Sequence, residues 1–265
     1  MSLKHTVYII TGANRGFGRA IAETIASKVK EERISFILVG RDQTLLESVK
    51  VDSNKLVACH YIPNADFTGA KQAEASVINK IDNLKKLWQK NKDVAPITDA
   101  VLINNAGSTG DLSKKVGAYD SNEIQAYVDL NITSYISIVT GFIKLFNNGS
   151  INTFIVNISS LLAVEAFPNW GLYATGKSAR DMLLKVVTKE EPCIRTLSYA
   201  PGPLDNEMQE HVRKTLGDQK QKELYTEMAN KGDLVNMEDS AMKLYSLLEE
   251  NKFESGAHVD YYDLK

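Results

Sequence analysis

Short apolar runs alternate along this chain with longer stretches of helical period. The runs 7–10, 34–39, 56–62, 100–103, 151–158 and 194–199 are mostly apolar and predict buried strands. After the first, Phe17, Ile21, Ile25 and Val29 recur every four residues, as on one face of a helix. The stretches 76–88 and 181–187 carry similar patterns. Alternation of this kind predicts α/β architecture, a doubly wound parallel sheet flanked by helices, formed by one domain spanning 1–265. The stretch 124–146 departs from the pattern. Tyr127, Val128, Tyr135, Ile136, Val139, Phe142, Ile143 and Phe146 put apolar residues on more than one face, so one side packs on the sheet and the other needs a second cover. A second copy of the chain is the expected cover, which predicts a homodimer. The segment 205–231 is the most polar. It reads as a solvated surface insertion in preference to a mobile helical flap.

Composition narrows the function classes. Of 265 residues, 43% are hydrophobic and 24% charged, with a formal net charge of -2, which gives no electrostatic case for nucleic acid or an anionic membrane. Cys59 and Cys193 lie outside any CxxC or Cys/His spacing, which argues against a disulfide scaffold or a zinc site; both read as small buried apolar side chains. The four histidines show no ligand spacing, so no metal is expected. The run 7–10 is too short for a signal-peptide core, and no stretch comes near the roughly 20 apolar residues of a membrane span. A cytoplasmic location is expected.

The chemistry begins where the first strand ends. Gly12, Gly16 and Gly18 sit in Thr11-Gly-Ala-Asn-Arg-Gly-Phe-Gly18 directly before a helix. Glycines there permit a tight turn, close approach to a pyrophosphate and close helix–strand packing, while the helix N-terminus supplies free N–H groups and the positive end of its dipole. The spacing is GxxxGxG rather than GxGxxG, and its setting between strand and helix makes it a Rossmann-like phosphate cradle. Asn14, Arg15 and Phe17 belong to the same loop. The second strand ends at Val39-Gly40-Arg41-Asp42. An arginine at that place accommodates the 2′-phosphate of NADP, and an acid there binds the ribose of NAD. Arg41, with Arg15 near, favours NADP; Asp42 keeps NAD open. Asn104, Ala106 and Gly107 form a second small-residue turn over the cofactor, and Asp66 after the third strand is placed to touch the adenine.

Ser160 follows the strand 151–158, and Tyr173 and Lys177 stand four apart, on one face of a helix. Carbonyl reduction needs a proton for the developing alkoxide. An ammonium near a phenol lowers its pKa, so Lys177 is expected to tune Tyr173 downward while Ser160 binds the substrate oxygen. A bare YxxxK is common on surface helices; joined to the glycine loop, Asn104-Asn-Ala-Gly107 and a strand-end serine, it is specific. Trp170 and Phe167 wall an aromatic pocket or are ordinary packing; their residue types do not separate the two.

Together these motifs resemble the short-chain dehydrogenase/reductase family over nearly the whole chain, with Asn131 in the long helix and Pro201-Gly202 after a strand as further marks. The resemblance implies that Asn131 joins Ser160, Tyr173 and Lys177 as a catalytic residue by anchoring a water that links the lysine to solvent. The closer likeness is to the pterin-reducing members of the family. It rests on Asn104-Asn-Ala-Gly-Ser-Thr-Gly-Asp111, on Tyr199-Ala-Pro-Gly-Pro-Leu-Asp205 with Met208 and Gln209, and above all on the tail Ser255-Gly-Ala-His-Val-Asp260-Tyr-Tyr-Asp263. It implies NADPH-dependent reduction of pterin side-chain carbonyls in tetrahydrobiopterin synthesis by a homodimer. It also implies that Leu204, Met208 and Gln209 touch the cofactor, that Leu161 and Gly202 line the substrate, and that Asp260 anchors the pterin. By residue type alone Asp260 is a surface carboxylate. A reductase for diketones or other carbonyls is the nearest alternative, and a non-catalytic NADP-binding sensor the more distant one.

Overall fold

The computed structural model describes residues 4–28, 32–51, 57–91 and 94–264. Val29 and Leu56, assigned above to a helix face and a strand start, lie outside them. Among the described residues seven strands, β1 (His5–Thr11), β2 (Arg33–Val39), β3 (Val57–Ile62), β4 (Asp99–Asn104), β5 (Asn152–Ile158), β6 (Ile194–Ala200) and β7 (Ala257–Asp260), form one sheet. Its order is β3-β2-β1-β4-β5-β6-β7 and every pairing is parallel. The helices are α1 (Gly16–Lys28), α2 (Gln43–Glu47), α3 (Ala70–Ala73), α4 (Asn79–Lys90), α5 (Ser121–Val128), α6 (Ser134–Phe146), α7 (Gly171–Glu190), α8 (Glu207–Thr215), α9 (Gln219–Lys231) and α10 (Met237–Glu250).

The uninterrupted apolar strands explain the layering. In β1, Tyr8 and Ile10 face a core completed by Phe17, Ile21 and Ile25 of α1 and Leu244 and Leu248 of α10. Val7 and Ile9 face the opposite core, built with Val77, Ile81, Tyr135, Phe142 and Leu184. A parallel sheet has to be covered on both sides, and successive side chains serve the two covers in turn. The strand order reverses between β1 and β4, which opens a crevice at the C-terminal ends of the strands, the usual ligand position in such sheets.

Six strands match the sequence expectation. The seventh, β7, is four residues long and only half-buried, so it carries no apolar run. The stretch 124–146 forms a continuous helical run of 26 residues, Ser121–Phe146, interrupted by a π segment at Asp129–Thr133. Its length and mean hydropathy alone would let it cross a membrane, but polar residues such as Glu123, Asp129, Asn131 and Lys144 interrupt it. Its buried side, Tyr135, Ile138, Val139, Phe142 and Phe146, packs into the core, as a core helix does. Cys193 is exposed and Cys59 half-buried, so neither is the fully buried apolar side chain expected of it. The polar segment 205–231 is helical, forming α8 and α9, capped by Asn206 and Asp218.

Candidate active site

The glycine loop closes at the switch point. Gly12 and Gly16 hold φ at +67° and +54°, the left-handed region that side chains disfavour. A Cβ on Gly18 would lie 2.5 Å from Asn105 Nδ2 and from the Gly12 carbonyl oxygen. That asparagine donates to the carbonyls of Thr11 and Gly12, and Thr11 Oγ1 accepts from the amides of Asn105 and Ala106, so the two small-residue turns are tied together. Ala13 donates to the Val39 carbonyl, and the Asn14 side chain packs over Gly40, which joins the loop to the end of β2. Phe17 is turned into the core.

Arg41 is exposed just past β2. The Asp42 carboxylate caps α2 by accepting from the Leu45 amide at 2.9 Å. Arg15 pairs with Glu207 of α8 at 2.9 Å, both side chains largely exposed. Such surface pairs contribute about 0–1 kcal/mol, so Arg15 is only weakly committed to Glu207. Asp66 closes a local turn by accepting from the Thr68 amide and hydroxyl, which hold its pKa below the usual carboxylate value. Gly107 stands over Asn131, while Asn104 is buried at the end of β4. Two glycines in left-handed conformation, open space where a Cβ of Gly16 would be, the N-terminus of α1 and two exposed arginines suit a dinucleotide phosphate chain.

Tyr173 and Lys177 lie in the first two turns of α7. Ser160, beyond the end of β5, accepts from the Leu162 amide at 3.2 Å and stands near enough to the Tyr173 phenol to favour its ionised form. Lys177 Nζ donates to the Ile158 carbonyl and stands 5.4 Å from the centre of the Tyr173 ring. Burial pushes Tyr173 up to about 12, against the opposing effects of Ser160 and the Arg180 charge. Burial pushes Lys177 down to about 7, with Arg180 adding to the effect and Asp181 opposing it. The expected lowering of the phenol by Lys177 is therefore not realised in this arrangement: desolvation dominates, and the ammonium is turned to a carbonyl. A phenol at about 12 is fully protonated at neutral pH, the state a proton donor needs.

Asn131 sits in the π segment. Its side chain accepts from the Ser108 amide at 2.9 Å and donates to the Tyr127 carbonyl at 3.1 Å. Its own carbonyl accepts from Arg180 Nε at 2.6 Å, and Arg180 Nη1 reaches the Ala106 carbonyl at 3.0 Å. Sequence reading missed Arg180 and its neighbour Asp181, a buried carboxylate bonded to Asn157, Ser159 and His258. The signal was present for Asp181, since Tyr173, Lys177 and Asp181 fall at i, i+4 and i+8 on one helix face.

Trp170 is buried against Tyr173, ring centres 5.3 Å apart, and donates to Gln221 of α9, whereas Phe167 is partly exposed. Leu161 is exposed in the turn after Ser160, and Gly202, at φ +76°, lies close to Val235. Leu204 and Gln209 are buried while Met208 points outward, so these three do not share one surface. Asp260 ends β7, in register with Ala200 of β6. Its Oδ1 accepts from the Tyr262 amide at 3.0 Å. Ser160 and Asp260 thus stand at the same C-terminal end of the sheet, two strand spacings or about 10 Å apart across β6.

The family model for short chain dehydrogenases matches residues 6–217. Among curated proteins, sepiapterin reductase of Rattus norvegicus is 38% identical over 263 residues, covering 97% of each chain. A benzil reductase of Bacillus subtilis, forming (S)-benzoin, is 29% identical over 265 residues and 98% of each chain. Among solved structures, the KRED1-Pglu enzyme superposes with a TM-score of 0.78 at 21% identity, covering 96% of this chain and 100% of its own. An alcohol dehydrogenase of Thermococcus sibiricus, complexed with 5-hydroxy-NADP, gives 0.73 at 20% identity, with 97% and 96% covered.

Proposed function

From the premise that this chain belongs to the short-chain dehydrogenase family and is an oxidoreductase, we propose that it is an NADPH-dependent reductase of pterin side-chain carbonyls, with the activity of a sepiapterin reductase in tetrahydrobiopterin synthesis. The observation that carries the reading is the pairing of a protonated Tyr173, beside Ser160, with a carboxylate, Asp260, at the same C-terminal end of the sheet. The pterin ring offers a 2-amino group and an adjacent ring N–H that match a carboxylate, and its side chain reaches away from that edge.

The nicotinamide cofactor supplies the hydride when bound. The glycine loop and the turn at Asn104, Ala106 and Gly107 would hold it, with Arg15 and Arg41 at the 2′-phosphate. Commitment of Asp42 to capping α2 supports NADPH over NADH. Ser160 donates to the substrate oxygen and keeps the carbonyl beside Tyr173, which releases its proton to that oxygen as negative charge develops. Lys177, fixed by the Ile158 carbonyl, brings positive charge to the developing alkoxide. Asn131 holds the turn at Ser108, and the water relay rests on the family resemblance. Leu161 and Gly202 flank the substrate; of the outer cofactor contacts that the resemblance implies, Asp66 and Met208 are exposed and can serve, whereas Leu204 and Gln209 are buried.

Exposed Ile136 of α6 and Met182 and Val186 of α7 support a homodimer through these helices. The exposed free thiol of Cys193 suits a reducing, cytoplasmic compartment. Diketone reduction is the second reading, favoured by the benzil reductase relative. Incubation of the protein with NADPH and sepiapterin, followed by identification of the product, tests the proposal; no sepiapterin-dependent NADPH consumption would overturn it.

A further inference from the structure

Asp181 is the buried carboxylate nearest the catalytic lysine in sequence, one turn beyond it on α7. Asp99, the other carboxylate buried among the described residues, begins β4 at the opposite, N-terminal end of the strands. Asp181 accepts from Asn157 Nδ2 at 2.8 Å and Ser159 Oγ at 2.9 Å, both from the end of β5. It bonds Ser198 of β6, and its Oδ2 meets His258 Nδ1 of β7 at 2.7 Å. One side chain therefore joins three strands to the helix that carries Tyr173 and Lys177. His258 lies two residues before Asp260, on the same face of β7.

The charge pattern adds a second reason for the carboxylate. Lys177 and Arg180 are both buried within one turn of α7. Two like charges so placed repel each other, and each loses its hydration. The titratable groups around them are Tyr127 and Tyr135 from the run 121–146, Tyr173 and Asp181 on α7 itself, and His258 behind Asp181. Burial alone would raise the Asp181 pKa, but the bonds from His258, Ser159 and Ser198 hold it below the usual value, so it is anionic at neutral pH.

We propose that Asp181 is a positioning residue for the reduction: it locks the strand bearing the substrate anchor onto the catalytic helix, and it supplies the counter-charge for the Lys177–Arg180 pair. The strand-locking half rests on the proposed pterin site at Asp260. The charge half does not, and a substrate without a pterin edge tests it separately.

The first experiment is the pH profile of kcat for benzil reduction at saturating NADPH, in the parent and in Asp181→Asn. Lys177 has to be protonated to assist Tyr173, and its charge is lost as pH rises through a value of about 7. Neutralising Asp181 removes the effect that raises this value. The alkaline limb should move to lower pH by about one unit, a loss of about tenfold on that limb that narrows to about threefold or less as the pH falls to 5.5. An equal loss at every pH would overturn the charge role. The second experiment uses His258→Leu and His258→Asn, which also serves if Asp181→Asn does not fold. Asn keeps an N–H donor near the Nδ1 position; Leu has none. The Leu variant should lower the ratio of kcat/KM for sepiapterin over benzil by about tenfold, through KM, and Asn should recover it to within about threefold. An unchanged ratio in the Leu variant, or no recovery with Asn, would overturn the strand lock. If Asp260→Asn also leaves the ratio unchanged, the pterin anchor itself fails, while the benzil pH profile still decides the charge role.

Discussion

Replacing Asp260 by asparagine changes one charge at the end of β7 and little else. The backbone around it is a reciprocal cap: Oδ1 accepts from the Tyr262 amide, and Asp263 Oδ2 accepts from the Asp260 amide, each at 3.0 Å. An asparagine keeps the first bond through its amide oxygen, so the urea midpoint should stay close to that of the parent. Its NH2 group then occupies the place of Oδ2, the oxygen free to receive a pterin N–H. One hydrogen bond to a charged acceptor is worth about 1.5–3 kcal/mol, and the substitution sets donor against donor. The expected loss in kcat/KM for sepiapterin relative to benzil is therefore about 10- to 150-fold. The assay is NADPH oxidation at saturating cofactor with each substrate in turn. An equal loss on both would make Asp260 a structural cap, and an unchanged ratio would refute the anchor.

Tyr173→Phe removes the proposed proton donor and should lower kcat by about 10²–10⁴-fold while NADPH binding, followed by fluorescence, persists. Arg41→Ala should raise KM for NADPH by about tenfold or more with little effect on NADH, because one charged phosphate contact is lost; equal changes would assign the 2′-phosphate elsewhere. Lys177→Met should abolish turnover yet raise the urea midpoint of the cofactor-free protein at pH 6. The sign follows from burial: the folded pKa of about 7 lies below the unfolded 10.5, so the charged lysine is a full cost below pH 7, and the parent should itself gain stability as pH rises from 7 toward 10. Met182→Glu together with Val186→Glu puts charge on adjacent turns of the exposed face of α7 and should give monomers by light scattering.

Much of the sheet was legible because both of its faces are buried, which turns each inner strand into an apolar run. The edge strand β7 was not, since a four-residue, half-buried strand containing His258 and Asp260 has no such run. The π segment holding Asn131 left no trace either: its residues continue the helical pattern, and the irregularity lies in the hydrogen bonds. The segment 205–231 was read correctly as solvated along α9, which has no fully buried residue, but its residues Val212 and Leu216 join Trp170 and Leu162 beside Tyr173. At the site, Ser160, Tyr173 and Lys177 were legible from spacing. Their mutual pKa relation was not, because burial outweighs the charge that the spacing suggested. Arg180 and Asp181 drew no notice in the sequence because their partners, the turn at Ala106 and the π segment for one and the ends of β5, β6 and β7 for the other, come together only in the fold.

The most direct test of the proposed activity is the specificity ratio of the unmodified protein: kcat/KM for sepiapterin against kcat/KM for benzil, each with NADPH and with NADH. Sepiapterin should be favoured by about tenfold or more, the effect of at least one charged hydrogen bond, and only with the phosphorylated cofactor at full rate. Preference for benzil, or equal rates with NADPH and NADH, would contradict that activity.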